Sequence, residues 1–313
     1  MNTKQLENAV SEVTLFNQHL QLIQSVHTIP TPKVNWESIA MEPAPAMPTV
    51  RFDHKVKAME ALDEYKPYWL DILLGNKSKF HTLTNNVELA AEKDIEQYKA
   101  EFVDWVQNYS YWAKGNQLSQ GVLNNDSQAK LSALSKAQQN PMNATVVDTK
   151  LINHNFNTYK NGHLLEINIQ VNKHNVIPKD KKVLCQGEVK LETLSLSESN
   201  ALYREYVCSC ILKCAQDSFN VLPETSVVIN VEQISTDHSN ETILSCHIEK
   251  GLLEFLLIED DKPSEILEFF VHIEDFNPHR GNGFSAIKTL FSPLPIASEL
   301  SPSFDSKLST HHD

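Results

Sequence analysis

The stretch from Ser197 to Ile234 constrains this chain more than any other: a long apolar helix stops at a proline and turns into a β-branched strand. Leu202, Tyr206, Cys210, Cys214 and Phe219, with Val207 and Ile211 beside them, recur at the three-or-four spacing of a helix with a broad buried face. Arg204, Glu205, Lys213 and Gln216 fall mostly between them. Ser197, Ser199 and Asn200 offer capping side chains, and Glu198 suits the positive end of the helix dipole. Pro223 cannot continue the helix and biases Leu222 out of the α region. Val227, Val228, Ile229 and Val231 form the short run of a strand buried in a sheet.

Helical periodicity dominates before this stretch. Residues 3–28 carry a near-heptad stripe of Leu6, Ala9, Val13, Phe16, Leu20, Ile23 and His27. Such a seam suits a partner helix, and packing within the chain is favoured over pairing with a second copy. Pro30, Pro32, Pro43, Pro45 and Pro48 make residues 30–50 an extended linker. In it Val34-Asn35-Trp36 and Ile39 read as anchors on a helical surface, with a surface linker and one tucked Trp favoured over a peptide-like clamp. Residues 52–74 read as a helix broken near Pro67 and stopped at Gly75-Asn76. Residues 78–113 form the longest helix, marked by Ile95, Tyr98, Phe102, Trp105, Tyr109 and Trp112, and make a hairpin with the previous one. A separate piece covers Gln117–Leu123. Asp126 caps a helix from Ser127 to Gln139, which Asn140-Pro141 closes.

Near Met142 the period changes to alternation. Strands are expected at 144–153, Leu164–Val171, Val183–Leu191, 226–235 and Thr242–Glu249, with turns at Asn161-Gly162 and Asp237–Asn240 and a last helix from Pro263 to Phe270. The expected fold is α+β: an N-terminal helical hairpin or bundle, then a mostly antiparallel sheet with one long packing helix. The divisions are an N-terminal helix at 1–29, a Pro-rich linker at 30–50, a helical domain at 51–142, an α+β domain at 143–291 and a disordered tail at 292–313.

At 313 residues each half can bury a core of its own. A net charge of −13, spread rather than concentrated in a tail, argues against nucleic acid and anionic membrane as partners, since both need basic patches. No apolar run reaches the length of a membrane span, and the N-terminus lacks a signal-peptide core. Cys208, Cys210 and Cys214 crowd one helix, which is not a disulfide framework. A reducing cytoplasm is the simplest compartment.

The run LYREYVCSCILKCAQDSFNVLPETSVVINV, residues 202–231, resembles an uncharacterised bacterial protein family whose members carry a Tyr, Val-Cys-Ser-Cys, a helix, Phe-x-x-Leu-Pro and a β-branched strand in this order. ILSCHIEKGLLEFLLIEDDKPSEILEFFVHIEDF, GNGFSAIKTL and LSQGVLNND are similar to neighbouring segments of that family, so the resemblance covers most of residues 100–291. Many members begin with a small β-rich module that is absent here. The resemblance implies a helical half followed by an α+β half and carries no activity with it.

Five groups of residues bear on chemistry. Glu188-Val189-Lys190 on a strand, with Asp180 upstream, is the residue set of a restriction-type nuclease, in which carboxylates hold Mg²⁺ and the lysine steadies charge. An exposed alternating strand is the plainer reading. Cys208, Cys210 and Cys214, with Cys246 and His247 elsewhere, read as small hydrophobes in a core rather than zinc ligands. His279–Phe284 reads as a tight turn requiring glycine dihedrals, not a phosphate loop. Glu259-Asp260-Asp261 reads as a solvated loop, and Lys173, His174, Lys179, Lys181 and Lys182 as a solvated hairpin.

The expectation is therefore a non-enzymatic cytoplasmic interaction or assembly protein, needing no metal or cofactor, with a protein partner or self-association through Leu6, Val13, Phe16, Leu20, Ile23 and Trp36. A place in bacterial stress or phage defence is fold-level analogy. The alternative is a metal-dependent nuclease or phosphoesterase using Asp180, Glu188 and Lys190.

Overall fold

The computed structural model describes residues 3–69, 72, 77–138, 149–159, 162–234, 240–256 and 261–291. Two compact units result: one joins residues 1–34 to 133–313, the other is residues 35–132.

The first unit is α+β. Its sheet has the order β1-β2-β5-β6-β7, from β1 (Thr149–Tyr159), β2 (Gly162–Val171), β5 (Ser226–Ile234), β6 (Asn240–Glu249) and β7 (Val271–Glu274). Neighbours pair antiparallel except β2 with β5, which run parallel with Leu165 opposite Val227 and Ile169 opposite Val231. That parallel pair is the departure from an all-antiparallel meander, and it requires a crossover. The crossover contains the one-turn helix α6 (Lys173–Val176), the hairpin of β3 (Asp180–Cys185) and β4 (Glu188–Thr193), and the long helix α7 (Leu196–Val221). The expected single strand Val183–Leu191 is thus two strands. Gln186 and Gly187, both with positive φ, turn the chain back between them, the geometry that two-residue hairpin loops need.

Helix α7 begins two residues earlier than a cap at Ser197 would place it. Ser195 is the cap: its Oγ accepts from the Glu198 amide, and Glu198 reaches back to the Ser195 amide, closing a capping box. Tyr203, Tyr206, Val207, Ile211 and Leu212 are fully buried. Beneath them lie Leu165, Ile167 and Ile169 of β2, Val227, Ile229 and Val231 of β5, and Leu244, Cys246 and Ile248 of β6, every second residue of each strand. The opposite sheet face carries a polar ladder. Asn230 Nδ2 donates to Glu166 Oε1 (2.6 Å) and Asn168 Oδ1 (2.9 Å), and its Oδ1 accepts from Ser245 Oγ (2.6 Å). The segment after β7 crosses this face, with the Ile287 amide on Thr242 O and the Leu290 amide on Ser245 Oγ. The helix α8 (Lys250–Leu256) and strand β7 lie outside the sequence expectations, and α9 (Pro263–Leu267) ends before the expected Phe270.

Helix α1 (Thr3–Gln24) packs on β3, β4 and α7 of the same unit. A 3₁₀ turn (Val26–Thr28) follows, in which His27 is buried with Nδ1 2.8 Å from Ser209 Oγ, while Ser209 Oγ also accepts from the His27 amide at 3.1 Å.

The second unit is helical: α2 (Trp36–Met41), α3 (Asp53–Asp63), α4 (Ser78–Leu123) and the first half of α5 (Ser127–Gln138). Helix α4 runs unbroken for 46 residues, about 69 Å at the α-helical rise. The piece expected at Gln117–Leu123 is its last two turns, and Gly115 does not interrupt it. Asp126 caps α5 as expected, accepting from the Gln128 amide at 2.8 Å. Helix α3 stops at Asp63, before Pro67. Its start is held by Asp94 of α4, a buried carboxylate accepting the His54 amide (3.0 Å), the Lys55 amide (2.9 Å) and His54 Nδ1 (2.7 Å). Burial opposes ionisation of Asp94, yet these bonds outweigh it and leave the carboxyl below its usual range. The expected stop at Gly75-Asn76, the helix end at Gln139–Pro141, the boundary near Met142, the strand start at 144–148, Asn161, the turn at 237–239 and the tail 292–313 lie outside the described residues.

Candidate functional site

The α+β unit holds a cleft of about 710 Å³ between α7, β1, the segment around Val26–Thr31 and the end of α5. Cys210, Lys213, Cys214, Asp217 and Val221 line one wall at helical spacing. Strand β1 is a sheet edge, so only part of its helix-side face is covered by α7, and Leu151 and His154 border the opening. Lys213 Nζ donates to Asp217 Oδ1 at 2.6 Å, an i,i+4 pair, and both are bonded to Thr31 Oγ1. Asn220 Nδ2 reaches Thr31 O at 3.2 Å, and the Val34 amide donates to Asn220 O at 2.9 Å. Thr149 Oγ1 lies 2.8 Å from Tyr206 OH and 3.2 Å from Cys210 Sγ. Ser135 Oγ and His154 Nε2 are 3.2 Å apart.

Burial governs the electrostatics of this cleft. Burial pushes the Cys210 thiol up to about 12 and raises Cys214 as well, helped there by the Asp217 charge. Neither is a thiolate at neutral pH, and the thiolate is the nucleophile. Burial also raises Asp217, against the pull of Lys213 and Thr31.

Glu268, His272 and Glu274 converge elsewhere, their ligand atoms all within 4.8 Å of one another. His272 Nδ1 lies 3.0 Å from Phe270 O, which orients the ring. Arg204 of α7 already spans the two carboxylates. It is 3.2 Å from Glu268, forms a closer bond with Glu274, and its guanidinium lies 5.4 Å from the Phe276 ring centre. The guanidinium supplies the countercharge that a metal would bring, so this cluster reads as an ion-pair network that ties α7 to β7.

The residues singled out in the sequence separate in space. Glu188 and Lys190 lie on β4, both exposed. Asp180 pairs with Thr193 at the far end of the hairpin, whereas Glu188 pairs with Cys185 at its turn. Five residues of strand put about 17 Å between them. Asp180 Oδ1 accepts from Thr193 Oγ1 at 2.8 Å. The three do not form a site. Within the α1 stripe, Ile23 is fully buried, Val13, Phe16 and Leu20 are half-buried in a groove against β3 and α7, and Leu6 is exposed. Trp36 is half-buried in the first turn of α2. The basic loop is largely paired: Lys173 donates to Asn200 Oδ1, Lys181 to Glu198 (2.9 Å) and Lys182 to Glu12 (2.7 Å). The glycine segment is a turn: Gly283 has φ +79°, and a Cβ there would come within 3.1 Å of Asn200 and Phe276.

The helical unit offers a different kind of surface. Lys55, Ala58, Leu62 and Tyr65 share the half-buried side of α3 and the turn after it. Phe52, Val56 and Met59, at i, i+4 and i+7, form an apolar stripe that remains 45–50% exposed. The four-residue and three-residue steps were readable in the sequence, but which of the two stripes faces α4 was not. Among the described residues no helix is long and apolar enough to cross a membrane. No family model, curated protein or solved structure matches the chain.

Proposed function

We propose that this chain is a non-enzymatic interaction or assembly protein that binds a protein partner through the apolar surface of its helical unit. The observation that carries the reading is the stripe Phe52–Val56–Met59 on α3, three large apolar side chains at helical spacing and each about half exposed. Contiguous exposed apolar surface of this kind marks contact sites, and an i, i+4, i+7 row is how a helix meets another helix or a groove. The protonated thiols of the cleft and the dispersed Asp180, Glu188 and Lys190 support the same reading.

The test compares wild type with Val56→Glu/Met59→Glu by light scattering coupled to size exclusion, and by pull-down from host lysate. Wild type runs above its monomer mass or retains a stoichiometric partner; the variant does neither and keeps its melting temperature, since both side chains face solvent. An unchanged mass and partner profile in a folded variant would reject the reading.

A further inference from the structure

Helix α4 carries an unbroken row of aromatic rings. Successive centroids lie 6.0 Å (Tyr98–Phe102), 5.5 Å (Phe102–Trp105), 5.2 Å (Trp105–Tyr109) and 5.4 Å (Tyr109–Trp112) apart. Residues 42–48, Glu-Pro-Ala-Pro-Ala-Met-Pro, have no regular secondary structure, and Glu42 has φ −62° and ψ 123°. They bond to this row. Trp105 Nε1 donates to Pro45 O and Trp112 Nε1 to Glu42 O, both at 2.9 Å, and Asn116 Nδ2 donates to Ala40 O at 3.0 Å.

The two repeats match. Seven residues of α-helix separate the indoles by about 10.5 Å, and three residues of polyproline-type chain separate Glu42 O from Pro45 O by about 9.3 Å. One further step sets Pro48 level with Tyr98. The donors read main-chain carbonyls rather than side chains. A proline-rich segment has carbonyls to offer and few N–H groups to pair them, and its preformed extended shape lies flat on rings. Aromatic grooves that bind proline-rich peptides use this combination.

We propose that the aromatic row of α4 is a recognition site for proline-rich extended peptides, held in this chain by residues 42–48 and taken over by a proline-rich segment of a partner protein. This rests on the interaction reading above and names the partner's chemistry. It uses a different surface from the α3 stripe, so either test can fail alone. Tethering gives residues 42–48 an effective concentration on the order of mM, so a partner segment must be tighter-binding or locally concentrated to displace them.

The probe is a fluorescein-labelled peptide of residues 41–50, titrated by anisotropy into the full chain carrying Pro43→Ser/Pro45→Ser/Pro48→Ser. The variant is expected to bind it at least about tenfold more tightly than wild type. Adding Trp105→Phe keeps a ring but removes one indole hydrogen bond of roughly 1–1.5 kcal/mol, weakening binding about tenfold. A peptide with serine at all three proline positions should not bind. If the folded triple variant gives no anisotropy change, or binds the serine peptide equally well, the proposal is overturned. Should that variant lose its circular dichroism, Pro45→Ser alone is titrated under the same two criteria.

Discussion

Replacing Asn200 with alanine tests how the C-terminal segment is fastened to the central helix. Asn200 is completely buried on α7. Its Nδ2 donates to Pro278 O (2.8 Å) and Arg280 O (2.6 Å), and its Oδ1 accepts from Lys173 Nζ. Arg280 O keeps a second donor, the Gly283 amide at 3.0 Å. Truncation therefore strands the Pro278 carbonyl and deprives Lys173 of its acceptor. An orphaned neutral group costs about 1–3 kcal/mol and a lost bond to a charged group about 1.5–3. Lys173 is only half-buried and can turn to water, so the expected loss is about 2–4 kcal/mol. For a unit of this size each kcal/mol lowers the melting temperature by about 2–4 °C. Urea unfolding and thermal melts followed by near-UV circular dichroism would measure it. Asn200→Asp keeps an acceptor for Lys173 but turns oxygen toward two carbonyl oxygens, and is not expected to rescue the fold. A loss below about 0.5 kcal/mol for the alanine variant, the range of an ordinary surface change, would refute the clamp.

Gly283→Ala should destabilise the same segment by about 1–3 kcal/mol through its positive φ and the close approach to Asn200 and Phe276. Gly281→Ala, with nothing within 4 Å of the added carbon, should stay within about 0.5 kcal/mol, both by urea melts. Lys181 and Ser195 hold the Glu198 carboxyl down to about 2 from 4.5. Because the folded value is depressed, its stabilising effect is fully present above pH 4.5 and fades as pH falls toward 2. Glu198→Gln should therefore lower wild-type stability at pH 7 and flatten the acid limb of a pH series of melts.

Much of the architecture was legible because helices and half-buried strands write their period into the side chains. Helix α7 and strands β2 and β5 stand nearly where the spacing of Tyr206, Cys210 and Val227 put them. The misses share physical causes. The run from Val183 to Leu191 alternates through a turn, and only Gly187 betrays the reversal. Strand β7 follows two phenylalanines and reads as a continuation of the helix before it. Ser195 is hidden as a cap because Ser197 and Ser199 offer the same chemistry two and four residues later. The aromatic row of α4 was visible at Tyr98, Phe102, Trp105, Tyr109 and Trp112. Its occupant was not, since an extended proline segment has no period to announce where it docks.

The division of the first unit between residues 1–34 and 133–313 sets a schedule for synthesis. Helix α1 leaves the ribosome about 200 residues before the end of α7, the last element against which it packs. At roughly 5–20 residues per second that is an interval of about 10–40 s. The helical unit is complete within that interval and can close on itself, while the α1 stripe waits with its apolar side chains unmatched. A nascent chain of this design holds the α1 stripe exposed until β3, β4 and α7 arrive to cover it.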